Sequence, residues 1–179
     1  MITVQIFGGL GNQMFQYACA RSIAIKNDTD VYLDLSRLNE NNNNYTTKRD
    51  YELSVFKIEA QVASEMDLAT SKPFCLRLIN ALSFKFFSTG IQTSEYFIEK
   101  KFSYNYKILK VTTNSFISGY WQSAKYFESI EHQLRREFDF RSSLNSLNTS
   151  LLKSISLENS ISLHIRRADF AKKYVKNVH

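Results

Sequence analysis

The chain has 179 residues, 44% of them hydrophobic and 22% charged, and its formal net charge is +6. This composition predicts a globular domain with a real core and excludes a disordered polyelectrolyte, and no apolar run is long enough to span a bilayer. The positive charge favours acidic partners, which include nucleic acid, anionic membranes and phosphorylated small molecules.

The chain opens with a strand pattern at 2–7, a glycine turn, a helix at about 12–26 and a strand at 31–35. This order favours a parallel sheet with helices on its faces. Three of the five glycines stand at positions 8, 9 and 11, which indicates a tight turn or close approach of a ligand to the backbone. Met14 occupies the place of the third glycine of a dinucleotide fingerprint, so a nicotinamide site is disfavoured.

Asn12 and Gln13 follow the glycine turn at the predicted start of the helix. Their amides can hydrogen-bond a hydroxylated ligand and also cap the helix. The alternative is that Asn12 is only the N-cap. Gly9, Gly11, Asn12 and Gln13 are therefore candidate ligand-binding residues, with a purely structural role left open.

The middle of the chain predicts loops, helices and one strand. In chain order these are a polar loop at 39–44, helices at about 62–70 and 73–87, and a strand from Ser115 that ends at Gly119. The clearest helix is predicted from Ala124 to Phe138, with Ser123 as its N-cap. Another helix follows at about 144–156.

The last strand pattern, 161–165, leads into Arg166, Arg167 and Asp169. Arginine presents a planar fork of donors suited to phosphate oxygens, and in α/β proteins ligands bind at strand ends. His164 lies within the strand, where a satisfied core histidine is the alternative to a functional one. For the two arginines the alternative is a surface ion pair with Asp169.

The basic segment between positions 166 and 176 could attract nucleic acid, but no RNA- or DNA-binding motif is present, and the aromatic residues are dispersed instead of interleaved with Lys and Arg. We therefore expect no nucleic-acid partner. Cys19 and Cys75 are isolated thiols, and the N-terminus starts with a strand instead of a signal peptide. We therefore expect a reduced, cytoplasmic protein, with peripheral contact at the inner face of the membrane as a further expectation.

Three ordered segments together resemble the bacterial α-1,2-fucosyltransferase family (glycosyltransferase family 11). They are Gly8-Gly9-Leu10-Gly11-Asn12-Gln13-Met14-Phe15-Gln16-Tyr17-Ala18, Gly119-Tyr120-Trp121-Gln122-Ser123-Ala124-Lys125-Tyr126-Phe127 and His164-Ile165-Arg166-Arg167-Ala168-Asp169-Phe170. The resemblance runs from end to end of the chain.

The resemblance implies a GT-B-like α/β fold. Its N-terminal, Rossmann-like acceptor-side domain would have a parallel sheet flanked by helices and would span residues 1–158. Residues 159–179 would begin the GDP-fucose-binding domain with its first strand. The implied activity is inverting transfer of L-fucose from GDP-β-L-fucose to the 2-hydroxyl of a galactosyl residue on a glycan, with surface-polysaccharide synthesis as the setting.

The resemblance also assigns roles to residues. Arg166 and Arg167 would bind the donor pyrophosphate, and Arg166, His164 and Asp169 would be the catalytic group. The residues of the glycine turn would face the acceptor. Ala168 departs from the glycine usual in the family at that position.

No cofactor and no metal is expected, because arginines can stabilise a departing diphosphate in place of a metal ion. Asp28-Thr29-Asp30 matches a metal-binding pattern of other glycosyltransferases, but it is predicted to lie in a solvated turn at the amino end of a strand. Since little of a donor domain follows Asp169, the chain by itself is expected to transfer fucose poorly. The alternative function is a non-catalytic glycan-binding or remnant domain.

Overall fold

The computed structural model describes residues 1–39, 49–71 and 96–163. The chain forms two compact units, Met1–Arg141 and a second from Ser142 onward. The first unit is built on a five-stranded sheet in the order β3-β2-β1-β5-β4, and every pairing in it is parallel. In chain order the strands are β1 (Ile2–Gln5), β2 (Val31–Asp34), β3 (Gln61–Val62), β4 (Tyr96–Ile98) and β5 (Ser115–Ser118).

Helices and short 3-10 turns connect the strands. The described α-helices are α1 (Leu10–Lys26), α2 (Ser36–Asn39), α3 (Glu65–Ser71), α4 (Glu131–Glu137) and, in the second unit, α5 (Ser146–Leu157). The 3-10 turns are Leu53–Val55, Tyr106–Lys110, Ala124–Tyr126 and Glu128–Ile130. Among the helices of the described ranges, none is both long and apolar enough to cross a membrane. The α/β class with a Rossmann-like parallel sheet is confirmed.

Helix α1 is the centre of the first unit. Most of its second half is buried on all sides, because Ala, Cys and Ile leave few polar groups to solvate. It packs on β1 and β2 and against three of the 3-10 turns. Its C-terminus is held by Asn27, whose Nδ2 donates to the carbonyl oxygens of Ile23 at 2.8 Å and Val111 at 3.1 Å.

The strand register produces the core. Val4 of β1 pairs with Leu33 on one side and Ile117 on the other, and all three side chains are fully buried in the same cluster as the inner face of α1. Both faces of β1 are buried, as in the central strand of a parallel sheet. The sheet and α1 therefore form one rigid support for the loops at the strand ends.

The predicted helix from Ala124 to Phe138 is wrong over its first half, which forms two 3-10 turns before α4 begins. Phe127 lies between them with φ −143° and ψ 16°, which interrupts a helix. Tertiary contacts override the helical pattern here, because the buried Tyr126 ring packs edge-on against Trp121. Ser123 precedes the first turn without a side-chain capping bond.

The remaining elements follow the prediction in part. The helix expected at 144–156 is α5, with Asn145 as its N-cap accepting from the backbone N–H of Asn148 at 2.8 Å. The helix expected at 62–70 begins later, because Gln61–Val62 adds an edge strand to the sheet. Of the expected strand 161–165, residues 161–163 are described and form no strand, since an apolar pattern needs a neighbouring strand to pair with. The predicted helix 73–87 lies outside the described residues. So does the predicted loop 39–44, except for Asn39, which is the last residue of α2.

Candidate functional site

The carboxyl ends of the parallel strands meet at one edge of the sheet. Strand β1 pairs with β2 on one side and with β5 on the other, so the strand order changes direction between β1 and β5. Open α/β sheets bind ligands in the crevice outside such a point. The glycine turn follows β1 and the Gly119 segment follows β5, so two of the three motifs quoted above meet at this crevice.

The glycine requirement of the turn lies at Gly8. Its φ of +78° favours glycine, and a Cβ atom there would lie 2.5 Å from Nδ2 of Asn12. Gly9 is the N-cap of α1 and has extended dihedral angles, and Gly11 lies in the first turn of the helix. A Cβ at Gly9 or Gly11 would meet no atom within 4 Å. The positive φ and the close contact with Asn12 therefore explain why position 8 is glycine. At Gly9 and Gly11, no group of the described chain occupies the space that a Cβ would take.

Gln13 is fully buried and its amide is fully engaged. Nε2 donates to the carbonyl oxygens of Gly8 at 2.9 Å and Asp50 at 2.8 Å, and Oε1 accepts from the backbone N–H of Glu52 at 2.9 Å. This side chain ties the glycine turn to the segment before the Leu53–Val55 turn. The geometry gives Gln13 a structural role, and its predicted contact with substrate stays untested.

Asn12 stands at the third position of α1, so the alternative that it is the N-cap is wrong. Its Oδ1 accepts a hydrogen bond of 2.7 Å from Nε2 of Gln122. Nδ2 of Asn12 and Oε1 of Gln122 have no hydrogen-bond partner among the described residues, so the pair presents one donor and one acceptor. Sequence reasoning missed Gln122, although it lies in the second motif, because its pairing depends on the β1–β5 register.

Gln16 also has a role that the pattern did not reveal. Its buried amide accepts from the N–H of Phe7 at 3.1 Å and donates to the carbonyl of Phe7 at 3.2 Å. Phe7 lies beyond the end of β1, where no strand satisfies its backbone. The amide replaces a strand partner and fixes the chain as it enters the glycine turn.

The Gly119 segment is held by Glu99, which follows β4. The Glu99 carboxylate accepts from the backbone N–H groups of Tyr120 at 2.7 Å and Trp121 at 3.3 Å. Trp121 has φ +54°, an unfavourable value for a bulky residue, and its ring is fully buried. A Cβ at Gly119 would overlap Cβ of Glu99 and lie 2.8 Å from the Trp121 ring. Glycine is therefore required here by close approach within the fold.

A cavity of about 220 Å³, the edge cavity, opens beside this segment. It is lined by residues that follow the carboxyl ends of four strands. They are Phe7, Arg37, Ile98, Glu99, Lys100, Lys101, Phe102, Ser118, Gly119 and Tyr120. Three of the lining side chains are cationic, one is acidic and three are aromatic. No local pattern predicts that they converge, because they come from loops far apart in the chain.

A buried polar cluster lies within the first unit, between α1 and α4. Glu137 accepts from the Tyr17 hydroxyl, from Nε of Arg21 at 2.9 Å and from Nε2 of Gln133 at 2.8 Å, and Arg21 also pairs with Glu59. Burial, together with the hydrogen bond to the Glu137 carboxylate, raises the pKa of Tyr17 well above its ordinary value. The cluster joins helices and does not line the edge cavity, so we assign it to stability.

The Asp-Thr-Asp pattern lies where it was expected. Asp28 and Asp30 are exposed in the turn between α1 and β2, at the amino edge of the sheet. Across the described ranges, no group of three or more His, Cys, Asp or Glu side chains could hold a metal ion. Whether the reaction needs a metal stays a prediction.

The third motif lies outside the described residues. His164, Arg166, Arg167 and Asp169 therefore stay predictions from the sequence, as do the functional boundary at residue 158 and the assignment of residues 159–179 to a donor domain. The described candidate site is the carboxyl edge of the sheet alone: the glycine turn, the Asn12–Gln122 pair and the edge cavity.

Known proteins with similar sequences agree with the motifs. The chain is 32% identical over 181 residues to an alpha-1,2-colitosyltransferase of Escherichia coli, covering 99% of this chain and 57% of that protein. It is 31% identical over 196 residues to the O-antigen biosynthesis glycosyltransferase WbnK of Escherichia coli, covering 96% of this chain and 59% of that protein. No solved structure gives a significant match. The chain thus spans less than two thirds of the length of these relatives.

The family comparison covers the whole sequence. The model of glycosyl transferase family 11 matches residues 1–179, from the strand before the glycine turn to the last residue. Because the match includes all three motifs, and two of them converge at the ligand-binding edge of a parallel sheet, the chain belongs to glycosyl transferase family 11.

Proposed function

We propose that this chain is the acceptor-side part of an α-1,2-glycosyltransferase. The enzyme transfers L-fucose from GDP-β-L-fucose to the 2-hydroxyl of a galactosyl residue, inverts the anomeric configuration and needs no metal. The observation that carries the proposal is the Asn12–Gln122 pair at the point where the strand order reverses. Its free amide donor and acceptor suit the hydroxyl groups of a sugar.

The acceptor is assigned to this edge because the described groups match its chemistry. A neutral sugar is recognised by a few polar groups beside an aromatic surface. Both are present beside the glycine turn, where the Phe7 and Tyr120 rings meet. Glu99 is a poor candidate for the base that removes the acceptor proton, because one of its oxygens already accepts two backbone hydrogen bonds.

The donor is assigned to Arg166 and Arg167 on chemical grounds. A departing GDP carries two phosphates, and preorganised guanidinium groups can stabilise the charge that develops as the glycosidic bond breaks. His164 and Asp169 complete the proposed catalytic group. The donor sugar must be tested separately, fucose against colitose, because one relative is named a colitosyltransferase.

A transfer assay tests the proposal on the full-length product of the gene. We expect GDP release and a fucosylated product when GDP-β-L-fucose is supplied with a β-galactoside, and no product with the 2-deoxygalactoside. Excess EDTA should leave the rate unchanged. Equal or faster turnover of GDP-colitose would change the assignment of the donor sugar. Activity that is lost in EDTA and restored by manganese would contradict metal independence. Galactoside binding without any turnover would favour a non-catalytic glycan-binding domain.

A further inference from the structure

The edge cavity carries an unbalanced positive charge. Arg37, Lys100 and Lys101 line it, and none of them forms an ion pair within the described residues. The only acidic lining residue is Glu99, whose carboxylate is held by backbone N–H groups of the following loop. A neutral sugar alone gives no reason for three cations around one small cavity, whereas an anionic ligand does.

The aromatic side chains give the cavity an ordered surface. Phe7 and Tyr120 meet edge to face with ring centroids 4.8 Å apart, and Phe102 lies 5.6 Å from Tyr120. The Arg37 guanidinium stacks over the Phe7 ring at 4.0 Å from its centroid. Stacking fixes the plane of the guanidinium while its N–H groups stay available for a carboxylate or a phosphate.

The size and position of the cavity point to one sugar residue of a longer chain. Its volume of about 220 Å³ is below the range usual for drug-sized ligands and matches a single sugar residue better than a nucleoside diphosphate. Phe7 directly precedes Gly8, and Tyr120 is two residues before Gln122, so the cavity adjoins the Asn12–Gln122 pair. A glycan with one residue at the pair can place the next in the cavity.

We propose that the edge cavity is a subsite for an anionic sugar residue of the acceptor, adjacent to the galactosyl residue that is modified. Arg37 is the main ligand to the anionic group, and Lys100 and Lys101 add to the field. The anionic group is the carboxylate of a uronic acid or the phosphate of a hexose phosphate. This inference rests on the proposed function, because that function places the acceptor at this edge.

Binding to the 179-residue chain tests the subsite directly. Methyl β-glucuronide, glucose 6-phosphate and neutral methyl β-glucoside are titrated and followed by NMR. We expect binding of one or both anionic sugars, at least about tenfold tighter than the neutral one and weakened by salt, since hydrogen bonds to charged groups are the strong ones. Which anion binds more tightly identifies the carboxylate or the phosphate as the source of charge.

Variants localise the effect. Arg37→Ala should weaken binding of the anionic sugar about tenfold, and Lys101→Ala should weaken it less, because Lys101 only adds to the field. Both variants should change the melting temperature little, because both side chains are exposed. Lys107→Ala is the control and should have no effect, because it removes an exposed charge away from the cavity. Lys107 lies in the 3-10 turn Tyr106–Lys110, which contacts Lys26 at the end of α1, near the amino edge of the sheet. Equal affinity for charged and neutral sugars, or full affinity in Arg37→Ala, would overturn the subsite, as would competition by GDP for the same residues.

Transfer assays separate this inference from the proposed function. The full-length gene product is given a neutral β-galactoside and the same galactoside linked to glucuronic acid. A lower KM for the charged acceptor, lost in Arg37→Ala, supports the subsite. Transfer to both acceptors with the same KM would reject the subsite and leave the function standing. Charge-dependent binding without any transfer would reject the function, and the cavity would then remain a site for an anionic sugar but not an acceptor subsite.

Discussion

Individual residues of the glycine turn and of the Gly119 segment have different structural roles. Gly8 and Gly119 are required by the fold, one through its positive φ and the other through close packing on Glu99 and Trp121. Gly11 meets no such requirement. Gln13 is a buried structural amide, while its neighbour Asn12 keeps a free donor. Neighbouring residues of one motif thus differ: Gln13 is fully engaged within the fold, whereas Asn12 keeps a polar group that a ligand could use.

Alanine at the two kinds of glycine should have opposite effects on stability. Gly119→Ala should lower the free energy of unfolding by about 2 kcal/mol, the usual cost of overpacking. Gly11→Ala should raise it by about 0.5–1 kcal/mol, because alanine favours a helix. Urea denaturation measures both. If Gly11→Ala is stable but loses galactoside affinity, ligand approach explains that glycine; if both variants are equally destabilised, the space described at Gly11 is wrong.

The arginine motif can be tested by charge-conserving replacement. In the full-length gene product, Arg166→Ala should lower kcat/KM by about 10²-fold or more, the usual loss when one donor to a developing charge is removed. Arg166→Lys should recover only part of the activity, because a single ammonium lacks the planar fork. Steady-state kinetics with GDP-fucose gives the comparison. Turnover close to wild type in Arg166→Ala would remove this residue from the donor site.

At the scale of elements, α1 is held from two sides. Its first turns are fastened to the strand ends by Gln13 and Gln16, and its middle is fastened to α4 by the cluster of Tyr17, Arg21 and Glu137. The position of the carboxyl edge of the sheet therefore depends in part on side chains that lie away from it. An acidic residue on α4 helps to set the position of the helix that carries Asn12.

Two carboxylates of α4 allow a matched comparison. Glu137→Gln should lower the free energy of unfolding by about 3 kcal/mol, because it leaves the Arg21 charge buried with only Glu59 to pair. Glu131→Gln breaks an exposed i,i+4 pair with Arg135 and should change stability little. Chemical denaturation monitored by circular dichroism measures both. Equal, small effects would show that the buried cluster contributes only weakly.

At the scale of the whole molecule, the sequence predicts the parallel α/β framework well. Local patterns at β1, α1, β2 and α5 mark these elements because each pattern continues over a full element. The prediction of one helix from Ala124 to Phe138 is wrong over its first half, because burial of Tyr126 overrides the local periodicity. The glycine turn could be located in advance because its residues are consecutive, but the edge cavity could not, since it joins loops after four strands whose order is set by nonlocal pairing.

The buried thiol and phenol predict loss of stability in alkali. Burial raises the pKa values of Cys19 and Tyr17 above those of the unfolded chain, which are about 8.5 and 10. The unfolded state therefore loses these protons first, and the free energy of unfolding should fall above about pH 9, by about 1.4 kcal/mol per pH unit for each group. Cys19→Ala should flatten this fall between about pH 9 and 10. A wild-type stability that stays constant to pH 11 would contradict the burial of both groups.

The proposed function requires the Asn12–Gln122 pair to bind the galactosyl acceptor. An NMR titration of the 179-residue chain with methyl β-galactoside tests this, comparing wild type, Asn12→Ala and the exposed control Asn148→Ala. We expect Asn12→Ala to weaken galactoside affinity about fivefold, the value of about one hydrogen bond, with an unchanged melting temperature and no effect in the control. Full galactoside affinity in Asn12→Ala, accompanied only by a lower melting temperature, would contradict it.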